Sequence, residues 1–331
     1  MKTRALWYVG ERQAELRLHA LPELAPDQVR VASLYSALSR GTESLVWRRQ
    51  VPRALAQEMR APFQVGEFGA QVKYGYCSVG QVIGLGGSGT AIELGQVVFC
   101  LHPHQDIYQV PASALTVVPE GVPAKRAVLA ANLETALNAV WDAAPGPGDR
   151  ITVVGAGVLG ALSAWLCAQI PATRVQLVDL NADKATLAQA LGAEFCLPAQ
   201  AEGQQDLVIH ASTSQAGLAL SLELAGTEAQ VIELSWYGDQ SPAVPLGRAF
   251  HSRRLSLKSS QVGRIPPHRA PRWDYARRLQ TVMTLLQSSD LDLLLEPELS
   301  LAELPAALPE LLGAPGAMCQ VIRYPKIEGN S

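Results

Sequence analysis

The chain has 331 residues, long for a single hydrophobic core, so two domains are expected. Hydrophobic residues make up 48% and charged residues 17%, the balance of a soluble globular enzyme. A net charge of −3 and a pI near 6.1 offer nothing to attract nucleic acid or an anionic membrane, and neither is expected as a partner.

No stretch approaches the ~20 uninterrupted apolar residues of a membrane span. The opening residues, Met1 to Trp7, lack the apolar core and cleavage site of a secretion signal. Cys77, Cys100, Cys167, Cys196 and Cys319 are scattered, odd in number and form no C-x-x-C. They read as single buried thiols of a reducing compartment, so a cytoplasmic protein is expected.

Residues 1–120 read as strands and turns. The runs 6–9, 28–35, 77–83 and 96–101 are rich in β-branched or aromatic residues, and Gly84 to Gly89 is a loop. Between them, 50–71 is a more polar, partly helical insertion, and an alanine-rich helical pattern covers 123–140. Further on the pattern alternates. Strands are expected at 150–154, 174–178, 193–197, 206–211, 229–234 and 254–258, with helices at 158–170, 182–191 and 215–224 between them. Six strands alternating with helices predict an α/β, doubly wound parallel sheet. A helix at 273–286 and a strand at 317–324 complete the chain.

The first strand of that alternation runs into Gly155-Ala156-Gly157-Val158-Leu159-Gly160, a G-x-G-x-x-G followed by a helix that Pro171 stops. Gly155 permits the tight turn, Gly157 lets the backbone approach a pyrophosphate, and Gly160 lets helix and strand pack closely. The helix start at Val158 and Leu159 offers free N–H groups and the positive dipole end to phosphates. The second strand ends on Asp179, 19 positions after Gly160, where a carboxylate can take the ribose hydroxyls. No arginine follows at 180–183 to receive a 2′-phosphate, so the cofactor is expected to be NAD.

Several segments resemble the medium-chain dehydrogenase/reductase superfamily: Ser36 to Glu43, Gly75 to Gly80, Thr135 to Ala139, the glycine motif, Leu191-Gly192-Ala193 and Phe250-His251. The resemblance covers nearly the whole chain. It implies a GroES-like β domain, 1–121 with 293–331, and a Rossmann domain, 122–292, with an active site in the cleft between them. It also implies a homodimer formed through the edge of the cofactor-domain sheet, at 229–234 and 254–258. Within the superfamily the chain looks nearest to a zinc-less branch that includes bacteriochlorophyllide hydroxyethyl dehydrogenases. Ser39 sits where zinc members carry a cysteine ligand, Tyr76 where they carry a histidine, and the third ligand position falls near Ala131 or Asn132. A catalytic zinc needs three fixed protein ligands and an open position, so no metal is expected.

Without zinc, a side chain must polarise the reacting oxygen. Tyr76 is one candidate, and a structural tyrosine is its plain alternative. His104, in Cys100 to Asp106, is a second, as an acid/base or proton relay; His102-Pro103-His104 as a metal pair lacks a visible third ligand. Ser39, Arg40 and Glu43 follow a strand end, where a surface ion pair reads equally well for Arg40 and Glu43. The resemblance puts Thr135 at the nicotinamide end of the cofactor and Ser259 and Ser260 at its carboxamide side. Ser212 closes the fourth strand at the ligand-binding edge, and His210 before it reads as packed in the sheet. The expected activity is NAD-dependent, zinc-independent interconversion of an alcohol and a carbonyl on a small-molecule substrate. The alternatives are an enone or quinone reductase, or a dinucleotide-binding protein without turnover.

Overall fold

The computed structural model describes residues 1–313 and 316–325, so the expected segment 293–331 ends outside the described residues. The chain divides into two compact units, Met1–Ala131 with Leu279–Ser331, and Asn132–Arg278. Among the described residues no helix is long and apolar enough to cross a membrane.

The second unit is built on a six-stranded parallel sheet. Its strands are Arg150–Val154, Arg174–Val178, Glu194–Cys196, Gln205–His210, Ala225–Glu233 and Ser256–Ser259, and they lie in the spatial order third, second, first, fourth, fifth, sixth. This is the doubly wound arrangement that the alternating pattern predicts, with the order reversing at the first strand. Both faces of the sheet are covered, which explains why its strands read as continuous apolar runs. Ile151, Val153, Leu177 and Ile209 pack into one core, while Val154, Val178, Val208 and Val231 pack into another. The helix Val158–Ala168 is buried from Gly160 to Cys167, as its nearly uniform apolarity requires.

Boundaries moved where turns intervene. The sixth strand begins at Ser256 rather than 254, because Arg254 sits at φ 53° and breaks the extended run. The expected helix 182–191 opens as a single 3₁₀ turn, Ala182–Lys184, and continues as Ala185–Ala190.

Among the described residues the first unit holds two sheets. Lys2–Gly10 pairs antiparallel with Gln13–Ala20, and Val72–Lys73 and Val65–Gly66 extend that sheet. The strand Gln13–Ala20 was not expected. Its hairpin turns through Glu11 and Arg12 without glycine or asparagine; Arg12 takes φ 55° itself and its N–H bonds the Trp47 carbonyl at 2.7 Å. The larger sheet centres on Gln28–Ala37, paired with Ser78–Leu85 on one edge and with Ile107–Pro111 and Val321–Arg323 on the other. The final strand is thus three residues long, shorter than the expected 317–324. The insertion 50–71 contributes only a 3₁₀ turn, Arg53–Leu55, and the short strand Val65–Gly66. The alanine-rich helix divides into Ala124–Ala127 and Ala130–Ala143.

Candidate active site

In the parallel-sheet unit the glycine motif folds as a phosphate-binding turn. Gly155 has φ 106°, and a Cβ there would stand 2.8 Å from the Ser212 nitrogen. A Cβ on Gly160 would stand 1.8 Å from the Gly155 carbonyl oxygen, so the helix can lie against the turn only with glycine at that position. Gly157, the helix N-cap, has nothing within 4 Å of its would-be Cβ. That open space lies before the first-turn N–H groups of Val158, Leu159 and Gly160, which by position have no intrahelical partner. A pyrophosphate fits there.

Asp179 is held across this turn. Its Oδ2 accepts the Ala156 N–H at 2.7 Å and its Oδ1 accepts the Asn181 N–H at 2.9 Å. Each oxygen keeps a further lone pair for a ribose hydroxyl. The residues present therefore fit a dinucleotide. Ser212 Oγ lies 2.7 Å from Nε2 of the fully buried His210. Ser259 is exposed at the end of the edge strand. Ser260 turns inward instead, donating to Asp142 at 2.7 Å, in a cluster with Asn138. Thr135 is half-buried on the helix Ala130–Ala143.

In the first unit, Ser39, Tyr76, Glu43 and His104 are joined by one hydrogen-bonded chain. The Tyr76 hydroxyl donates to Ser39 Oγ at 2.5 Å, and the Ser39 N–H donates to Glu43 Oε1 at 2.8 Å. Glu43 Oε2 accepts from the Tyr8 hydroxyl at 2.7 Å and lies 3.0 Å from His104 Nε2. His104 Nδ1 lies 2.7 Å from Ser36 Oγ, which in turn is 2.8 Å from the Tyr324 hydroxyl. Glu43 can only accept, so its partners assign the His104 hydrogen to Nε2, leaving Nδ1 to accept from Ser36. Tyr8, Ser36 and Tyr324 belong to this network, yet their sequence context marks them only as strand residues. Gly75 makes the crossing possible, since a Cβ there would stand 2.9 Å from the His104 ring.

Burial raises the Tyr76 phenol well above its ordinary value, with Cys77 adding to the shift and hydrogen bonds to Ser39 and Thr42 opposing it. The side chain is thus a hydrogen-bond donor at neutral pH. His104 is 1% exposed and has both ring nitrogens engaged, so it meets no solvent. His102 stacks on Tyr108 with ring centroids 3.8 Å apart, and burial holds it well below the ordinary histidine range. The surface ion pair of Arg40 and Glu43 is not how these residues sit. Glu43 is fully buried, and Arg40 donates to the carbonyls of Leu311 and Ala317. Ala131 and Asn132 are both buried. Among the described residues no group of three His, Cys, Asp or Glu side chains is arranged to hold a metal ion, and all five cysteines are buried free thiols.

No protein-family model matches the chain. The D-guloside 3-dehydrogenase of Escherichia coli (strain K12) is 25% identical over 307 residues, 84% of this chain and 87% of that protein. Among solved structures, S. aureus TarJ in complex with NADPH superposes with a TM-score of 0.76 at 15% identity, covering 98% of this chain and 100% of that one. The rspB alcohol dehydrogenase of E. coli CFT073, complexed with NADH, superposes with a TM-score of 0.74 at 16% identity, covering 98% and 99%. The fold is therefore a Rossmann sheet with a GroES-like β domain. The curated relatives that the chain resembles are thus a dehydrogenase and a zinc-type alcohol dehydrogenase-like protein, and the solved neighbours share its fold.

Proposed function

We propose that the chain is a zinc-independent, NAD-dependent oxidoreductase that interconverts an alcohol and a carbonyl. The observation that carries this reading is the Tyr76–Ser39 hydroxyl pair, 2.5 Å apart, standing at two positions where the family resemblance implies metal ligands. A nicotinamide supplies the hydride acceptor or donor for such a reaction. The chain must supply the group that handles oxygen. Tyr76, kept protonated by burial, gives its hydrogen to Ser39 Oγ, and the Ser39 hydroxyl is the donor assigned to the carbonyl oxygen. Glu43 fixes the Ser39 backbone, and His104 and Tyr8 fix Glu43.

Asp179 supports NAD over NADP, because its carboxylate would repel a 2′-phosphate and no arginine stands at 180–183. The named relative supports a secondary hydroxyl of a glycoside or polyol as the first substrate class to assay. The edge strand Ser256–Ser259 pairs on one side with Gln230–Glu233, and a homodimer through its other side is part of the same proposal. Five buried free thiols support a reducing, cytoplasmic setting.

The test is cofactor consumption by the purified protein against a panel of polyols, glycosides and simple carbonyls, beside a panel of enones and quinones, with elemental analysis of the same sample. Turnover on the first panel without stoichiometric zinc is expected. Turnover confined to the second would make it a double-bond or quinone reductase, and tight cofactor binding with no turnover would make it a binding protein. About one zinc per chain, retained through chelation, would overturn the zinc-independent reading.

A further inference from the structure

The hairpin between Lys2–Gly10 and Gln13–Ala20 is tied to the C-terminal end of the helix Arg40–Trp47. Arg12 takes the left-handed turn position at φ 55°, where glycine or asparagine is the ordinary residue, and its N–H donates to the Trp47 carbonyl at 2.7 Å. The other carbonyls of the helix's last turn are taken as well. Ser44 O accepts the Arg48 N–H, Leu45 O the Gln50 N–H and Val46 O the Arg49 N–H. The guanidinium groups of Arg12 and Arg48 are therefore not needed to cap this helix. They line a cavity of about 300 Å³ with Trp47, Pro309 and Gly313. No carboxylate belongs to that lining, and among the described residues neither arginine forms an ion pair.

A guanidinium carries five N–H donors. Arg48 donates from Nη2 to the Leu312 carbonyl at 2.8 Å, and its Nε is buried with no acceptor among the described residues. A buried donor without a partner on a charged group costs stability, and so does a non-glycine residue in the left-handed region. Both costs fall at one cavity, and both are borne by arginine, whose planar fork matches the paired oxygens of a phosphate. Two uncompensated guanidiniums repel each other, and an oxyanion in the cavity they share turns that repulsion into attraction. The volume lies at the small end of ligand pockets, roughly 300–1,000 Å³. The cavity is also separate from the groups already described. The eight residues of the helix put its Ser39 end about 12 Å from its Trp47 end. The glycine-motif turn belongs to the other unit.

We propose that Arg12 and Arg48 form a second anion site, which binds a phosphate group, either free inorganic phosphate or the phosphate of a small phosphomonoester. Arg12 holds its unfavourable turn position because its side chain is used there, and Arg48 is anchored to Leu312 so that the rest of its fork faces the bound oxygens.

The experiment measures binding of inorganic phosphate and of glycerol 3-phosphate to the full chain, by calorimetry and by melting, against sodium chloride at the same ionic strength. The parent binds phosphate and melts about 1–3 °C higher when phosphate stands at about ten times its dissociation constant. Arg48→Gln weakens that binding about tenfold or more. Arg12→Gly weakens it as much, yet melts at or above the parent in chloride, because glycine takes the left-handed position without strain. That split separates a ligand role from a structural one. Gly157→Ala, which narrows the approach to the glycine-motif turn, keeps the response. Tighter binding of glycerol 3-phosphate than of inorganic phosphate assigns the site to a phosphomonoester, and equal or weaker binding assigns it to the free anion. A parent that responds to phosphate no more than to chloride would overturn the proposal. So would phosphate affinity within about twofold of the parent in either arginine variant, or a response that Gly157→Ala abolishes.

Discussion

Glu43 Oε2 lies 3.0 Å from His104 Nε2, and neither side chain reaches solvent. Three donors converge on this one carboxylate: the Tyr8 hydroxyl, the Ser39 N–H and the His104 ring. A buried acceptor of this kind holds a unit together because each donor becomes an orphan when it is removed. Glu43→Ala should cost about 3–5 kcal/mol of stability, and Tyr8→Phe, which removes one donor, about 1.5–3 kcal/mol. Urea denaturation of both variants checks this. A loss under about 1 kcal/mol for Glu43→Ala would show that water takes over the carboxylate's role.

Lys73 supplies a pH-dependent prediction. Burial lowers its ammonium to about 8, and its Nζ donates to Gln105 Oε1 at 2.7 Å. The folded-state value lies below the unfolded one, so between pH 8 and about 10 the unfolded chain binds more protons. Lys73 alone therefore adds stability as pH rises. Burial, however, raises all five thiols in the folded state, so the folded chain holds more protons at them and net stability should fall across the same window. Above it the fall continues, because the buried Tyr8, Tyr74 and Tyr108 are raised in the folded state. Lys73→Met should steepen that fall and stabilise the protein by about 1 kcal/mol near neutrality, after allowing for the lost hydrogen bond. An unchanged slope in thermal melts from pH 7 to 10 would contradict this.

Asp179 should set cofactor choice. With its oxygens fixed by the Ala156 and Asn181 N–H groups, it cannot swing away from a 2′-phosphate without giving up both bonds. NADH should bind at least about tenfold more tightly than NADPH, or about 1.4 kcal/mol. Asp179→Ser should narrow that gap. Parallel titrations decide it, and tighter NADPH binding by the parent chain would sink the idea.

The dinucleotide half was legible because each of its parts has a local signature. Gly155, Gly157 and Gly160, the apolar strand before them and Asp179 after them sit at fixed offsets, and local sterics enforce those offsets. The other half was not legible in this way. Tyr8, Ser36, Glu43, His104 and Tyr324 span most of the chain and meet only through antiparallel pairing of distant strands. The same holds for His210 and Glu233, 23 residues apart and placed opposite each other by parallel register. The hairpin at Glu11-Arg12 escaped because a non-glycine residue takes the left-handed turn position.

The Tyr76–Ser39 pair carries the chemistry in the proposed reading. Tyr76→Phe and Ser39→Ala should each lower turnover by about 10²-fold or more while leaving NADH affinity within about twofold. Single-turnover and binding measurements on the same preparations separate the two effects. Full turnover in both variants would move the oxygen-handling role elsewhere in the chain.

Gly157 and Gly160 stand three residues apart in one motif and should fail in opposite ways when changed to alanine. At Gly160 a methyl group would press into the Gly155 carbonyl, 1.8 Å from its oxygen, so helix and turn must separate. The helix Val158–Ala168 is buried along most of its length, and moving it opens both sheet cores. Gly160→Ala should therefore destabilise the protein by several kcal/mol, on the order of 3 or more. At Gly157 the backbone lies at φ −73°, which alanine adopts freely, and no atom lies within 4 Å of the added carbon. Gly157→Ala should melt within a few degrees of the parent, since only a modest N-cap preference is lost. Its methyl group would instead occupy the space where the pyrophosphate must approach, so NADH and ADP should both bind at least about tenfold more weakly. Melting curves and titrations on the two variants give the comparison. A Gly157→Ala protein that is stable and binds both ligands like the parent would mean that the phosphates lie somewhere other than this turn.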